Sequence, residues 1–158
     1  MCIRDRKKGI LTITEEKMTR FWIRLEDGVN FVINSIKNMK GGEIFIPKIP
    51  SMKIMDLANT IAPNAEKKII GIRPGEKMHE VLISDEEAHH CSRSGDYYAI
   101  HAMLPELFNG KQFDTTILTG EYSSGDDVLD LEGTIALLKH HQLMVEDVRL
   151  STTGELLK

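Results

Sequence analysis

Cysteine is nearly missing from this chain: its 158 residues hold two, Cys2 and Cys91. That is too few for the disulfide framework of a small secreted domain, and it fits a reducing cytoplasm. No apolar stretch approaches the roughly 18 residues that span a bilayer, and no secretory apolar segment follows Met1. An excess of positive charge is missing too, with a formal net charge of −4 and a pI of about 5.9. Binding along a nucleic-acid backbone needs a dense basic face, so neither a nucleic acid nor a membrane is an expected partner.

The familiar catalytic motifs are also missing. No G-x-G-x-x-G follows a strand, and no P-loop, H-E-x-x-H or G-x-S-x-G occurs. Tyr97, Tyr98 and Tyr122 are followed four positions later by His101, Ala102 and Asp126, so no tyrosine has a lysine at that spacing. The chain therefore offers no catalytic residue set and no cofactor-binding fingerprint of its own. His89-His90-Cys91 invites a metal reading, but adjacent helical side chains diverge by about 100° and zinc ligands are normally spaced further apart. A solvated helix end is the plainer reading, and no metal ligand is expected. His140-His141 suits the C-terminal end of a helix, where positive charge is favourable.

What is present is globular: 41% hydrophobic and 28% charged residues, at a length natural for one domain. Residues 1–8 carry five charges and no apolar period. They read as a non-native or disordered leader, which would make the chain the tail of a longer protein. Residues 9–148 then form the folded part, and residues 149–158 a polar tail.

Within the folded part, Gly9 to Thr14 is β-prone. Leu25, Val29, Val32, Ile33, Ile36 and Met39 recur at helical spacing, and Gly41-Gly42 is a stop, so a helix is predicted over residues 24–40. Residues 43–47 read as a strand. Ser51 is expected to cap a helix near residues 52–62, with Pro63 ending it. A second strand follows at 67–72, and the intervening helix favours parallel pairing of these two strands. A short helix is expected over 76–82, an acidic helical turn from Ser84, a strand over 96–101, and a last helix capped by Asp130. Residues 102–127 carry little periodicity. The expected fold class is α/β.

Two arginines stand out. Arg20 lies beside the single tryptophan, in Met18-Thr19-Arg20-Phe21-Trp22. Arg73 follows a strand end, on the Arg73-Pro74-Gly75 turn. Ligands of α/β sheets gather at the carboxyl ends of strands, and a guanidinium fork holds two phosphate oxygens at once. A surface ion pair is the plainer reading of either arginine, and Glu76 could supply it for Arg73. Spacing alone leaves both open.

These segments, with Gly41-Gly42-Glu43-Ile44-Phe45-Ile46-Pro47-Lys48-Ile49-Pro50-Ser51-Met52, Asp56-Leu57-Ala58 and Gly71-Ile72-Arg73-Pro74-Gly75-Glu76-Lys77-Met78-His79-Glu80, form an ordered series. It resembles the C-terminal half of bacterial UDP-N-acetylglucosamine 4,6-dehydratases of the extended short-chain dehydrogenase/reductase family, both the inverting, pseudaminic-acid type and the capsule-synthesis type. The resemblance is close over about residues 10–101 and weaker beyond. It implies the small substrate-binding portion of a Rossmann-type enzyme, without most of the Rossmann domain. That missing half would hold NADP and the catalytic Tyr and Lys. The reaction would oxidise the sugar at C4, eliminate water across C5–C6 and return the hydride at C6. The resemblance assigns Arg20 and Arg73 to the nucleotide sugar, including its diphosphate, and Glu76 to the uridine end. It implies a UDP-sugar substrate, a cytoplasmic location and a homo-oligomeric parent. This chain alone would be inactive.

Capsule-type UDP-sugar 4- or 5-epimerases share parts of this half and remain an alternative. So does a stand-alone, non-catalytic nucleotide-sugar binding module, or a structural domain whose Pro-Gly turns only pack. With the partner half outside the chain, the sheet is expected to be small and one apolar face uncovered.

Overall fold

The computed structural model describes residues 9–102, 104, 106 and 118–144. The expected leader, the polar tail and much of the aperiodic stretch 102–127 lie outside the described residues. In chain order the elements are β1 (Ile10–Ile13), β2 (Thr19–Phe21), α1 (Leu25–Asn38), β3 (Ile44–Pro47), β4 (Ser51–Lys53), α2 (Ile54–Ile61), β5 (Glu66–Ile69), β6 (Val81–Ile83), α3 (Asp85–Ala88), β7 (Cys91–Ser94), β8 (Tyr97–Ile100), β9 (Tyr122–Ser123), β10 (Val128–Leu129) and α4 (Leu131–His140). The α/β class expected from the sequence is the class observed. The chain divides into two compact units. Among the described residues, the first comprises those within 9–18, 52–78 and 129–144, the second those within 19–51 and 79–128.

In the first unit β1 and β5 pair in parallel, with Ile10 opposite Glu66 and Ile13 opposite Ile69. A parallel pair needs a crossover rather than a hairpin, and α2 lies directly before β5. Leu11 and Ile13 alternate inward along β1 and meet Ala58 of α2, with Ile54, Met55, Ala62 and Ala65 packed around them. At the start of α4 the Asp130 carboxylate accepts the Gly133 N–H at 2.7 Å, satisfying a backbone donor that the helix cannot pair itself.

Two expectations fail here. The 67–72 strand runs Glu66–Ile69 and pairs with β1, not with Ile44–Pro47, because the latter belongs to the other unit. Ser51 does not cap a helix: it sits in β4 and its hydroxyl donates to Asp126 O at 3.2 Å. The residue before α2 is Lys53, which makes no side-chain cap.

In the second unit β3, β7 and β8, and likewise β6 and β9, pair antiparallel. The first sheet runs β3-β8-β7, with Ile44 and Cys91 both opposite Ile100. Gly95 turns the β7–β8 hairpin with φ +61°, a conformation glycine adopts freely. β6 and β9 form a second pair. Ser84 and Glu87 make a reciprocal capping box at α3. The core gathers Ile83, Ala88, Cys91, Tyr98, Ile100 and Tyr122, with Phe21, Ile46, Leu82 and Leu118 against it. Phe21, Tyr122 and Tyr98 stack in series at centroid distances of 5.1 and 5.2 Å. The Tyr122 hydroxyl donates to Ile49 O at 3.1 Å and accepts the Ile49 N–H at 3.2 Å.

The expected helix over 76–82 is not there. Val81-Leu82-Ile83, an apolar run with β-branched ends, is strand β6 instead. The reading of His89-His90-Cys91 as a solvated helix end is corrected at its last residue. Cys91 opens β7 fully buried, and burial pushes its thiol pKa up.

Helix α1 spans nearly the predicted residues and buries none of them. Its apolar stripe is bare: Leu25 is 86% exposed, Ile36 63%, Val32 55% and Val29 50%. The uncovered apolar face was expected with a small, partly exposed sheet; the exposed apolar stripe seen here lies on helix α1.

Candidate functional site

The three residues singled out by sequence fall in different units: Arg20 in the second, Arg73 and Glu76 in the first.

Arg73 follows the end of β5 on an exposed turn. The Glu76 carboxylate accepts the Arg73 backbone N–H at 3.0 Å, and the Glu76 N–H returns a bond to Arg73 O at 3.0 Å. Gly71 precedes this closed loop and Gly75 lies within it, at φ +84° and +85°, in the left-handed region that L side chains avoid. Glu76 therefore shapes the turn that carries Arg73, rather than forming the ion pair considered from sequence. Among the described residues no carboxylate pairs with the Arg73 guanidinium.

Arg20 is mounted differently. It lies on β2 between Thr19 and Phe21, whose side chains take the opposite face of the strand. Thr19 is buried; Phe21 reaches the aromatic core. The Arg20 side chain is 27% exposed. Its Nη1 donates to Thr19 O at 2.6 Å, and its Nε lies 3.3 Å from Glu80 Oε1. The plainer reading, an ion pair, is thus met for Arg20, by an acid 60 residues away that the sequence analysis did not single out.

Behind this pair is a polar hub centred on buried Thr19 and Ser124. Thr19 Oγ1 lies 2.7 Å from His79 Nδ1 and 2.8 Å from Ser124 Oγ. Ser124 Oγ also donates to Thr19 O at 3.2 Å and accepts the Glu80 N–H at 2.9 Å. The Ser124 N–H closes the ring onto Glu80 O at 2.7 Å. Ser124 is fully buried. No local pattern reveals this hub, whose partners are 44 to 105 residues apart. A weak signal exists: His79 and Glu80 close the Gly71-to-Glu80 segment, and Ser124 lies in a Gly- and Asp-rich stretch.

A dinucleotide cofactor would need a glycine-rich turn leading from a parallel strand into a helix. The loop after β5 carries Arg73-Pro74-Gly75 and leads to strand β6. No described parallel strand leads through a glycine-rich turn into a helix. The described residues also contain no cluster of three His, Cys, Asp or Glu side chains able to hold a metal ion. No helix among them is long and apolar enough to cross a membrane.

An α/β chain with arginines on a strand and on a strand-end turn is a class to which comparison adds a family. Residues 3–102 match the family described as polysaccharide biosynthesis protein, and the chain belongs to that family. It is 61% identical over 108 residues to a Campylobacter jejuni protein named UDP-N-acetylglucosamine 4,6-dehydratase (inverting), a match covering 68% of this chain and 32% of that one. A UDP-glucose 4-epimerase of Rickettsia felis is 39% identical over 148 residues, covering 88% of this chain and 43% of the relative. The X-ray structure of Pen from Bacillus thuringiensis superposes with a TM-score of 0.74 at 28% identity, over 89% of this chain and 44% of that one. The chain spans roughly a third to under a half of the length of these relatives. The resemblance read from the sequence motifs is borne out, and the higher identity lies with the dehydratase rather than the epimerase.

Proposed function

We propose that residues 9–148 are the substrate-binding half of a UDP-N-acetylglucosamine 4,6-dehydratase serving surface-polysaccharide or flagellin-glycan synthesis in the cytoplasm. The observation that carries this is the 61% identity to the inverting dehydratase over 108 residues, together with the family match over residues 3–102, which include Arg20, Arg73 and Glu76. Arg73 and Arg20 contact the diphosphate-bearing part of the nucleotide sugar. Glu76 holds the Arg73 turn and lies toward the uridine end. The fork of a guanidinium suits two phosphate oxygens in a way a lysine does not.

NADP and the proton-transferring Tyr and Lys belong to an N-terminal portion, and the parent is a homo-oligomer. In that portion the cofactor does the redox work. The residues of this chain supply positioning. The bare stripe on α1 supports this reading, since a large apolar face on a soluble domain marks an interaction surface.

The test replaces the 108 matching residues of the Campylobacter jejuni dehydratase with this chain. The fused protein should convert UDP-N-acetylglucosamine to a 4-keto-6-deoxy product, whereas the isolated chain with NADP added should not. Turnover by the isolated chain, or release of an epimer by the fused one, contradicts the proposal.

A further inference from the structure

We infer that Glu80 is a positioning residue for Arg20: its carboxylate fixes the plane of the guanidinium that meets the diphosphate of the nucleotide sugar. The inference rests on the function proposed above and adds to it a residue, and a mount, that the assignment of Arg20 does not contain.

An exposed ion pair between two long side chains is ordinarily loose, because holding both in one geometry costs side-chain entropy. This pair is different at its roots. Thr19 O takes Arg20 Nη1, and Ser124 Oγ donates to that same carbonyl. The Glu80 backbone is tied to Ser124 twice, through Glu80 N–H to Ser124 Oγ and through Ser124 N–H to Glu80 O. Arg20 and Glu80 therefore grow from opposite sides of one fully buried serine. His79 Nδ1 locks the Thr19 hydroxyl from the far side at 2.7 Å. Gly125 lies under the His79 ring, where an added Cβ would come within 3.2 Å, so a larger residue there would push the ring off its partner. The side chains differ in freedom as well: Arg20 is 27% exposed and Glu80 45%.

A guanidinium has five N–H donors in one plane. One carboxylate and one carbonyl can set that plane while a phosphate is bound by the same group. A negative charge beside a phosphate site weakens the bare attraction for phosphate, so an acid there is useful only if its geometric effect outweighs its charge. That opposition makes the role testable, because charge and geometry predict opposite signs.

Two measurements decide it. In the 158-residue chain itself, hydrogen exchange at arginine Nε–H is followed by NMR. The Arg20 Nε–H should exchange markedly slower than that of exposed Arg73, and Glu80→Ala should abolish the difference. Equal rates in the unmodified chain overturn the clamp. In the fused protein, UDP is titrated into four forms. Glu80→Ala should weaken UDP about tenfold, within the range typical of coupled neighbours. Glu80→Gln, which keeps an acceptor oxygen but loses the charge, should recover most of the affinity. In an Arg20→Ala background, Glu80→Ala should change nothing further. Tighter binding in both Glu80 variants shows charge repulsion without positioning and overturns the inference alone. Failure of the unmodified fused protein to bind UDP overturns the proposed function and this role with it.

Discussion

Arg20 and Arg73 are the same residue on two kinds of mount. Arg20 stands on a strand, its carbonyl neighbour and its acidic partner both bonded to buried Ser124. Arg73 stands on an exposed turn, closed by a carboxylate–backbone and a backbone–backbone bond to Glu76, with Gly71 before it and Gly75 within it at positive φ. The first mount is stiff at its centre, where Thr19 and Ser124 are buried and an unmade hydrogen bond is costly; His79 and Glu80 bond to them from the surface. The second is shaped by backbone conformation and is open to water.

The comparison can be broken at its stiff end first. Thr19→Val keeps the volume but removes the hydroxyl shared by His79 and Ser124. It should cost about 1–3 kcal/mol of stability, the range for leaving buried polar groups unpaired. The shift in urea midpoint, at unchanged slope, reads this. At the loose end, Gly75→Ala places a side chain at φ +85° with nothing within 4 Å of the new Cβ. The cost there is backbone strain alone, about 1 kcal/mol. If Gly75→Ala destabilises more than Thr19→Val, the buried hub is not the stiffer mount and the comparison reverses.

Local pattern carried the sequence reading a long way. The 3.6-residue period from Leu25 to Met39 placed α1, and the acid at Asp130 placed the start of α4, because both signals act over one or two helical turns. Period says which face is apolar and not what covers it. α1 and α2 read alike in sequence, yet α2 buries Ala58 in a core while α1 buries nothing. Strand pairing failed where the chain leaves one unit and returns: Ile44–Pro47 and Glu66–Ile69 are near neighbours in sequence but sit in separate sheets. The expected helix after Gly75 failed because the Glu76 carboxylate is used to close the turn behind it, and the apolar run from Val81 pairs as a strand.

The site divides in the same way. The exposed turn that carries Arg73 was legible from a strand end followed by Pro-Gly, while spacing left the role of Arg73 open. Glu76 was legible only as a nearby acid, and its job proved to be backbone capping of the turn. Glu80, His79 and Ser124 were not legible as a group, since contacts spanning 44 to 105 residues leave no periodic trace. The proposal that the strand-end arginine serves a nucleotide diphosphate stands on Arg73 above all.

The most direct test is a titration of UDP into the fused protein carrying Arg73, Arg73→Lys or Arg73→Ala. Loss of a charge-assisted contact is worth roughly 1.5–3 kcal/mol, so Arg73→Ala should weaken UDP about 10- to 150-fold. Arg73→Lys should recover little of that despite keeping the charge, because the fork is lost. Equal UDP affinity in all three forms would contradict the claim and return Arg73 to the solvated surface.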